Sequence, residues 1–361
     1  MAVRIREALE TLPAYAPGRT VPGAIKLASN EMSFPPLPAV VDAIITAVTD
    51  DSATAVTGIN RYPDNGATLV VGALSELLQV STDRIIAGCG SVALCQQIVL
   101  AVAGPGDEVI FGWRSFEAYP IVTMITGATP VRVPVTASHE LDLAAIAAAI
   151  TGNTRLIFIC TPNNPTGTTV RAADLEAFLD AVPEDILVVV DEAYLEFDIA
   201  PDSPDGIALA LVRPNVLALR TLSKAYGLAG ARVGYAVADP DVIVALKKVA
   251  VPFALNSLAQ AAAVAALGQV HQLRPRWQQV IDERARVTAA LRKGGFETPD
   301  SQANFVWLPL RERSMEFAEH CEQQRVIVRS FAQPEFGGVR VTIGAPAEND
   351  AFLAAALSFD L

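Results

Sequence analysis

Short β-rich runs alternate with alanine-rich helical stretches from about residue 83 to residue 240. The β-rich runs are hydrophobic at consecutive positions, which is typical of strands that helices cover on both faces of a sheet. Between two of these runs lies the helical segment Ala172–Ala181, at a spacing that fits a right-handed βαβ crossover. The pattern predicts an α/β fold with a mostly parallel sheet sandwiched by helices. The predicted strands are Arg84–Ala87, Glu108–Phe111, Leu156–Cys160, Ile186–Val190, Val216–Leu219 and Val233–Val237.

The pattern changes after Pro252, where helices and short strands follow one another without regular alternation. Such an order predicts a smaller α+β domain. Its predicted helices are Leu258–Val270, Arg274–Arg292 and Glu348–Phe359, and its predicted strands are Asn304–Leu308, Val326–Arg329 and Gly338–Ile343. The first thirty residues form an arm punctuated by Pro13, Pro17 and Pro22. We therefore expect a large domain over residues 31–250, with residues 1–30 and 251–361 forming an N-terminal arm and a small C-terminal domain.

The composition excludes several classes of protein. With 361 residues, of which 52% are hydrophobic and 18% charged, the chain can bury a large core and suits two domains. Its net charge of −12 disfavours nucleic acid and anionic membranes as partners. The N-terminus mixes charged with apolar residues, unlike a signal peptide, and no apolar span is long enough for a membrane helix. We therefore expect a soluble, cytoplasmic protein.

The cysteines and histidines do not suggest a metal site. The four cysteines form no C-x-x-C pair, and the three histidines are scattered along the chain. In a chain of this length such cysteines are typical of reduced, buried thiols. Neither a zinc site nor a histidine-based catalytic triad is expected. The residues concerned are Cys89, Cys95, Cys160, Cys321, His139, His271 and His320.

Polar clusters follow three successive predicted strands, at the point where each strand ends. TPNNPTG begins at Thr161, DEAY follows the next strand, and RTLSK follows the one after it. In open α/β sheets, ligands bind beyond the carboxyl ends of the strands. If these strands are neighbours, one crevice receives Asn164, Asp191, Tyr194 and Lys224.

These side chains match the requirements of pyridoxal 5′-phosphate (PLP). The aldehyde of PLP needs a lysine amine, and its ring nitrogen needs a buried carboxylate, here Asp191, that raises the pyridinium pKa. Its phenolic oxygen needs hydrogen-bond donors, here Asn164 and Tyr194. Lys224 is the one lysine that follows a buried strand amid small polar residues, the others being Lys26, Lys247, Lys248 and Lys293.

The phosphate of PLP needs hydroxyl groups, an arginine and a helix N-terminus. A GCGS segment precedes an apolar helical stretch, so the backbone amides of its Gly90 and Ser91 are placed to hold the phosphate. Thr221, Ser223 and Arg232 complete the predicted cradle. Each motif alone has a simpler interpretation, because Gly-x-Gly and Asn-Pro-Thr-Gly are common in turns and an Asp at a strand end is usually a helix cap. The order of these motifs, each at a strand end, is what favours PLP.

Four segments of the chain resemble a known family. TPNNPTG, DEAY, TLSKAYGLAGARVGY and GGVRVTIG are similar to motifs of the fold-type I PLP-dependent aminotransferases, within them the histidinol-phosphate aminotransferase group. LASNE, NRYPDNG, GWRSFEAYP and SQANFVWLPL resemble its branch of aromatic-amino-acid (phenylalanine) aminotransferases. The resemblance runs from Leu12 to the C-terminus and implies a fold-type I PLP-transferase.

The resemblance implies roles position by position. The Schiff-base lysine corresponds to Lys224, and the cofactor ligands to Asp191, Asn164, Tyr194 and Arg232. Arg340, in GGVRVTIG, corresponds to the arginine that binds the substrate's α-carboxylate, a role that suits a guanidinium. Tyr62, in NRYPDNG, corresponds to a tyrosine that reaches across a dimer interface to the partner's cofactor phosphate. The implied assembly is a homodimer with active sites at the interface.

The chain departs from the family pattern before the aromatic residue that stacks on the cofactor ring, where it has Trp113-Arg-Ser-Phe116. We align Phe116 with the stacking position; Trp113 is the alternative, and both could instead be core aromatics. Arg329 corresponds to an arginine near the substrate side-chain pocket of phosphate-using relatives, or forms a surface ion pair. The expected substrate-binding residues are Tyr15, Asn164, Arg329 and Arg340.

The expected activity is ping-pong transamination from an aromatic amino acid (phenylalanine or tyrosine) to a 2-oxo acid such as 2-oxoglutarate, within amino-acid biosynthesis. The freed Lys224 amine is the expected general base at the substrate Cα. The nearest alternative is a histidinol-phosphate aminotransferase. Others are a PLP lyase or decarboxylase and a ligand-sensing regulator; a regulator of this type carries an added DNA-binding domain, for which the chain has no basic segment.

Overall fold

The computed structural model describes residues 18–49, 59–332 and 336–361, together with the isolated positions 3, 5 and 12. The helices within these residues are α1 Pro38–Thr49, α2 Thr68–Leu78, α3 Gly90–Val102, α4 Ala118–Thr126, α5 Leu143–Ala148, α6 Ala172–Ala181, α7 Gly206–Val212, α8 Pro240–Val249, α9 Ser257–Leu267, α10 Val270–Lys293, α11 Ser314–Gln323 and α12 Pro346–Leu357. The strands are β1 Ile25–Lys26, β2 Ile85–Gly88, β3 Glu108–Trp113, β4 Thr129–Pro134, β5 Thr154–Cys160, β6 Leu187–Asp191, β7 Val216–Thr221, β8 Gly234–Val237, β9 Phe305–Leu308, β10 Val326–Ile327, β11 Arg329–Phe331 and β12 Gly338–Thr342.

The main sheet has seven strands in the order β2-β8-β7-β6-β5-β3-β4. Strands β7, β6, β5, β3 and β4 run parallel, and β8 is antiparallel to both of its neighbours. This confirms the predicted α/β fold with a mostly parallel sheet. The edge strand β4 was not among the predicted strands. It carries Pro130 and Pro134, and proline is tolerated at a sheet edge, where it weakens the sequence signal of a strand.

Both faces of the sheet are buried, as the apolar runs predict. Val188 and Val190 of β6 belong to one apolar core, and Leu187 and Val189 belong to another on the opposite face. Successive side chains of a strand point to opposite faces, so one short run supplies both cores. Helices α3, α4 and α8 pack against one face, and α5, α6 and α7 against the other. The side chains at the carboxyl edge of the sheet are therefore carried by strands that are buried on both faces.

The C-terminal region forms a three-stranded antiparallel sheet in the order β11-β12-β9, while β1 pairs in parallel with β10. The predicted strand Val326–Arg329 is therefore wrong in one respect: its first half pairs with β1, and its last residue begins β11. The predicted break before Arg274 is also wrong, because α10 begins at Val270 and contains Pro275. The domain boundaries given above stay a prediction.

No helix in the described part of the chain is both long and apolar enough to cross a membrane.

Candidate active site

A cavity of about 390 Å³ lies at the carboxyl ends of β5, β6 and β7. The N-terminal segment around residues 28–31 closes one side of it, and β11 and β12 supply arginines on another. Its wall contains most of the side chains singled out in the sequence: Ser91, Phe116, Asn164, Asp191, Tyr194, Thr221, Ser223, Lys224, Arg232, Arg329 and Arg340. The strand order brings the three polar clusters together, because β5, β6 and β7 are neighbours in the sheet.

Asp191 is the last residue of β6 and is 3% exposed. Its Oδ2 accepts a hydrogen bond of 2.6 Å from the Tyr119 hydroxyl. Its Oδ1 is buried and has no hydrogen-bond partner among the described residues. Burial raises the pKa of Asp191 to about 6, against the opposing effect of the Tyr119 hydrogen bond. Buried polar atoms are normally hydrogen-bonded, so this oxygen is placed to accept from a bound ligand, and a protonated ring nitrogen is a suitable donor.

Tyr119 is a residue of this site that sequence reasoning missed. It lies in α4, is fully buried, and stacks on Phe158 with ring centroids 4.3 Å apart. This packing fixes the ring, and the ring fixes the hydroxyl that holds Asp191. The segment GWRSFEAYP contains Tyr119, but no local signal connects it to a carboxylate 72 positions away.

Lys224 follows β7 and donates a hydrogen bond of 3.0 Å to the Ser29 carbonyl oxygen. Desolvation by the surrounding protein, with a contribution from the nearby Arg340 guanidinium, lowers the pKa of Lys224 to about 7. A lysine with such a pKa is partly neutral at pH 7 and can act as nucleophile and base. A second lysine, Lys26 of β1, also lines the cavity, where it pairs with Glu31 at 2.8 Å.

The pKa of Lys224 predicts how the cofactor-free protein takes up PLP. Only the neutral amine attacks an aldehyde, so the rate of uptake should rise with pH through a midpoint near 7. Below that pH the amine is protonated and uptake slows. Absorbance changes at limiting PLP, followed from pH 5.5 to 9, measure this; a midpoint near 10, the ordinary value for lysine, would contradict the assignment.

The residues of the predicted phosphate cradle lie close together at the N-terminus of α3. Gly90 has a φ of +80°, and a Cβ at this position would lie 2.5 Å from Nη2 of Arg232. The Arg232 guanidinium therefore packs directly against the first turn of the helix. Its Nη1 donates to Ser223 Oγ at 3.2 Å, and Thr221 Oγ1 lies 3.0 Å from the same oxygen. A helix N-terminus, an arginine and two hydroxyls make a site for a phosphate dianion.

Two donors face the cavity beside Asp191. Tyr194 Oη accepts a hydrogen bond of 3.0 Å from Nδ2 of Asn30, which leaves the tyrosine proton to donate elsewhere. Burial raises the pKa of Tyr194 above its ordinary value, so it stays protonated. Asn164 Oδ1 accepts from Nη1 of Arg340, so the NH₂ group of Asn164 is its remaining donor. Asn30 was also missed in the sequence, since its role depends on the N-terminal segment packing onto the site.

Arg340 lies in β12 and is 7% exposed. Its Nη2 donates to the Ala28 carbonyl oxygen at 2.8 Å, which fixes the plane of the guanidinium. Arg329 of β11 lies directly opposite Arg340 in the antiparallel register. The Nη2 of Arg329 donates to Oε2 of Glu117 at 2.9 Å. Arg329 is therefore both a cavity residue and an ion-pair partner, so the two interpretations of the sequence do not exclude each other.

The aromatic residues singled out in the sequence differ in whether they line the cavity. Phe116 lines the cavity, whereas Trp113 lies between the guanidiniums of Arg114 and Arg132, which are 4.8 and 5.1 Å from its ring centroid. This placement favours Phe116 as the aromatic of the cavity wall. Tyr62 lies outside the cavity of its own chain; it is 79% exposed and stacks on Phe253. Tyr15 lies outside the described residues.

The arrangement fits PLP on observations of the structure itself. The unpartnered buried oxygen of Asp191 suits a pyridinium nitrogen, and the α3 cradle suits a phosphate. Tyr194 and Asn164 suit a phenolic oxygen, and Lys224 suits an aldehyde. These four requirements are independent of one another, and one cavity meets all of them.

Residues 22–357 match the family described as aminotransferase class I and II. The chain belongs to this family. Members of the family are PLP-dependent transaminases, so the expected enzyme class is confirmed. An aromatic amino acid aminotransferase of Mycobacteroides abscessus is 58% identical over 353 residues, covering 98% of this chain and 98% of the relative. One of Rhodococcus jostii is 56% identical over 358 residues, covering 99% and 96%.

The fold is that of the fold-type I aminotransferases, as expected. Histidinol-phosphate aminotransferase of Sinorhizobium meliloti, solved in complex with PLP, superposes with a TM-score of 0.88. It is 28% identical in sequence, and the match covers 99% of this chain and 97% of that chain. The relatives compared by sequence and by structure differ in the substrate that their names give.

Proposed function

We propose that this transaminase binds PLP in the cavity described above and transfers the amino group of an aromatic amino acid to a 2-oxo acid, with phenylalanine or tyrosine as donor and 2-oxoglutarate as acceptor. The observation that carries the proposal is the convergence of Lys224, Asp191 and Arg340 on one cavity. The names of the relatives at 58% and 56% identity support the choice of substrate. Activity in the cytoplasm, as part of amino-acid biosynthesis, stays a prediction.

Each residue of the cavity has a separate role in the proposed reaction. When bound, PLP supplies an aldehyde that condenses with amines and a protonated ring that accepts the electron pair released at the substrate Cα. Asp191 holds the ring proton, and Arg340 binds the substrate α-carboxylate in a bidentate manner. Lys224 Nζ removes the Cα proton as general base, which a lowered pKa favours near neutral pH. Phe116 lines the same cavity and supplies an apolar aromatic side chain beside the bound groups.

We propose further that the active unit is a homodimer. Tyr62 is largely exposed in the single chain, although an aromatic ring of this size usually buries much of its surface. In the proposed dimer its hydroxyl reaches the phosphate cradle of the partner. A sedimentation measurement should give twice the chain mass of 38.1 kDa, and a monomeric active enzyme would refute the dimer without touching the chemistry.

The substrate is tested by a single half-reaction. L-Phenylalanine and, separately, histidinol phosphate are added to the PLP-loaded enzyme, and the absorbance of the bound cofactor is followed. The proposal predicts rapid bleaching at low phenylalanine concentration and little with histidinol phosphate. The opposite order would assign the chain to histidinol phosphate, and release of product without consumption of a 2-oxo acid in the full reaction would indicate a lyase or decarboxylase.

A further inference from the structure

An ion pair forms part of the cavity wall on the side of Arg340. Glu117 Oε2 accepts from Arg329 Nη2 at 2.9 Å, and both residues line the cavity. Their side chains are 30% and 18% exposed, so each retains access to a ligand in the cavity while remaining partly shielded from bulk water. Partial shielding makes the charge of each group matter more to such a ligand than it would at the surface.

Arg329 and Arg340 form a cross-strand pair. Their Cα atoms are partners in the antiparallel register of β11 and β12, so their side chains leave the same face of the sheet. Like charges in directly opposite positions repel each other. Glu117 is the N-cap residue of α4, and its side chain makes no capping hydrogen bond. Its carboxylate instead pairs with Arg329 and so reduces this repulsion.

Glu117 is shared between two arginines. Besides Arg329, it pairs with Nη1 of Arg114 at 3.6 Å, and the Arg114 side chain is 8% exposed. The cluster of Arg114, Arg329 and Glu117 therefore carries one net positive charge. Without the carboxylate it would carry two, next to Arg340.

The charge requirement differs between the two candidate substrates. An amino acid presents a carboxylate with one negative charge, which a single arginine satisfies in a bidentate manner. Histidinol phosphate has no carboxylate and presents a phosphate group, which carries between one and two negative charges and three acceptor oxygens. A phosphate placed at Arg340 would therefore need a second cation, and Arg329, the cross-strand partner of Arg340, is a cation that lines the same cavity.

We propose that Glu117 is a specificity-determining residue that occupies Arg329 and thereby favours substrates with a carboxylate over substrates with a phosphate. The inference rests on the proposed function, in which Arg340 binds the substrate's anionic group. The carboxylate of Glu117 competes with a phosphate for the Arg329 guanidinium and repels it. A substrate carboxylate, which is satisfied by Arg340, does not meet this competition.

The test compares two ligands that cannot react because they lack an amine. 3-Phenylpropanoate and 2-phenylethylphosphonate have the same skeleton and differ in carrying a carboxylate or a phosphonate. Calorimetric titration of the PLP-loaded enzyme gives the ratio of their dissociation constants. In Glu117→Gln the ratio should shift toward the phosphonate by about tenfold, or about 1.4 kcal/mol. The kinetic counterpart is a similar rise in kcat/KM for histidinol phosphate relative to phenylalanine.

The double variant Glu117→Gln/Arg329→Gln is the control, because it removes the arginine that the phosphonate would gain. Its ratio should return to within about twofold of the wild-type ratio. The inference is overturned if the single variant leaves the ratio unchanged, or if the shift persists in the double variant. Cofactor absorbance and thermal unfolding show whether each variant is folded. If wild-type enzyme neither binds 3-phenylpropanoate nor reacts with phenylalanine, the proposed function fails instead.

Discussion

Replacing Lys224 with alanine is expected to lower kcat for transamination by about 10⁴-fold or more, the upper end of what a positioned general base contributes. The variant loses the amine that the aldehyde of PLP needs and the base that removes the Cα proton. The Lys224 side chain also donates a hydrogen bond to the Ser29 carbonyl, and a single hydrogen bond of this kind contributes only about 0.5–1.5 kcal/mol to stability. The effect should therefore appear in turnover and in the cofactor spectrum, while the unfolding temperature of the cofactor-free protein should change little.

Lys293→Ala is the matched control, because Lys293 is an exposed residue in the last turn of α10. It truncates the same type of side chain at a position far along the chain from the cavity residues and should keep wild-type turnover. Stopped-flow measurement of one half-reaction separates loss of chemistry from loss of substrate binding. A Lys224→Ala enzyme that retains turnover within about tenfold of wild type would eliminate the assigned role.

Asp191→Asn is expected to lower kcat by about 10²–10³-fold, the range seen when one preorganised electrostatic group is removed from a site. The substitution keeps the size of the side chain, and its Oδ1 can still accept from Tyr119. Its NH₂ group then faces the place where Asp191 now has an unpartnered oxygen. A donor at that place cannot hold a proton on the ring nitrogen. Because asparagine has nearly the same volume as aspartate, the substitution does not disturb packing. A small loss of kcat would therefore contradict the role of Asp191 at the ring nitrogen.

Tyr119→Phe is the milder companion of this variant. It removes the hydrogen bond of 2.6 Å to Asp191, which lowers the pKa of that carboxyl, so the pKa should rise in the variant. The ionised fraction of Asp191 then falls at neutral and acidic pH. The activity lost should be larger at pH 6 than at pH 8, and the acid limb of the pH profile should move to higher pH. A uniform loss at all pH values would indicate a purely structural role for Tyr119.

The sequence was most informative where local order coincides with spatial order. Asp191 ends its strand, and Asn164 and Lys224 follow theirs closely. Adjacent strands in a parallel sheet place their carboxyl ends together. Apolar runs such as that of β6 predicted their own burial on two faces. The edge strand β4 escaped because its prolines and its partly exposed surface break the apolar pattern.

The contacts that the sequence did not reveal join distant segments. Tyr119 holds Asp191, Asn30 holds Tyr194, and Glu117 holds Arg329, across 72, 164 and 212 positions of the chain. None of these pairs has a local motif, because each depends on how α4, the N-terminal segment and β11 pack onto the sheet. These residues position other side chains, and their own positions result from long-range packing that sequence periodicity does not predict.

Chemical reduction of the PLP-loaded enzyme shows which lysine in this cavity holds PLP. Borohydride converts the bond between PLP and a lysine amine into a stable secondary amine, so the labelled peptide can be found by mass spectrometry after proteolysis. Lys26 is the alternative site of attachment that the experiment must distinguish, because it lines the same cavity as Lys224. We expect the label on Lys224 alone. A label on Lys26, or on any other lysine in place of Lys224, would rule out Lys224 as the Schiff-base lysine.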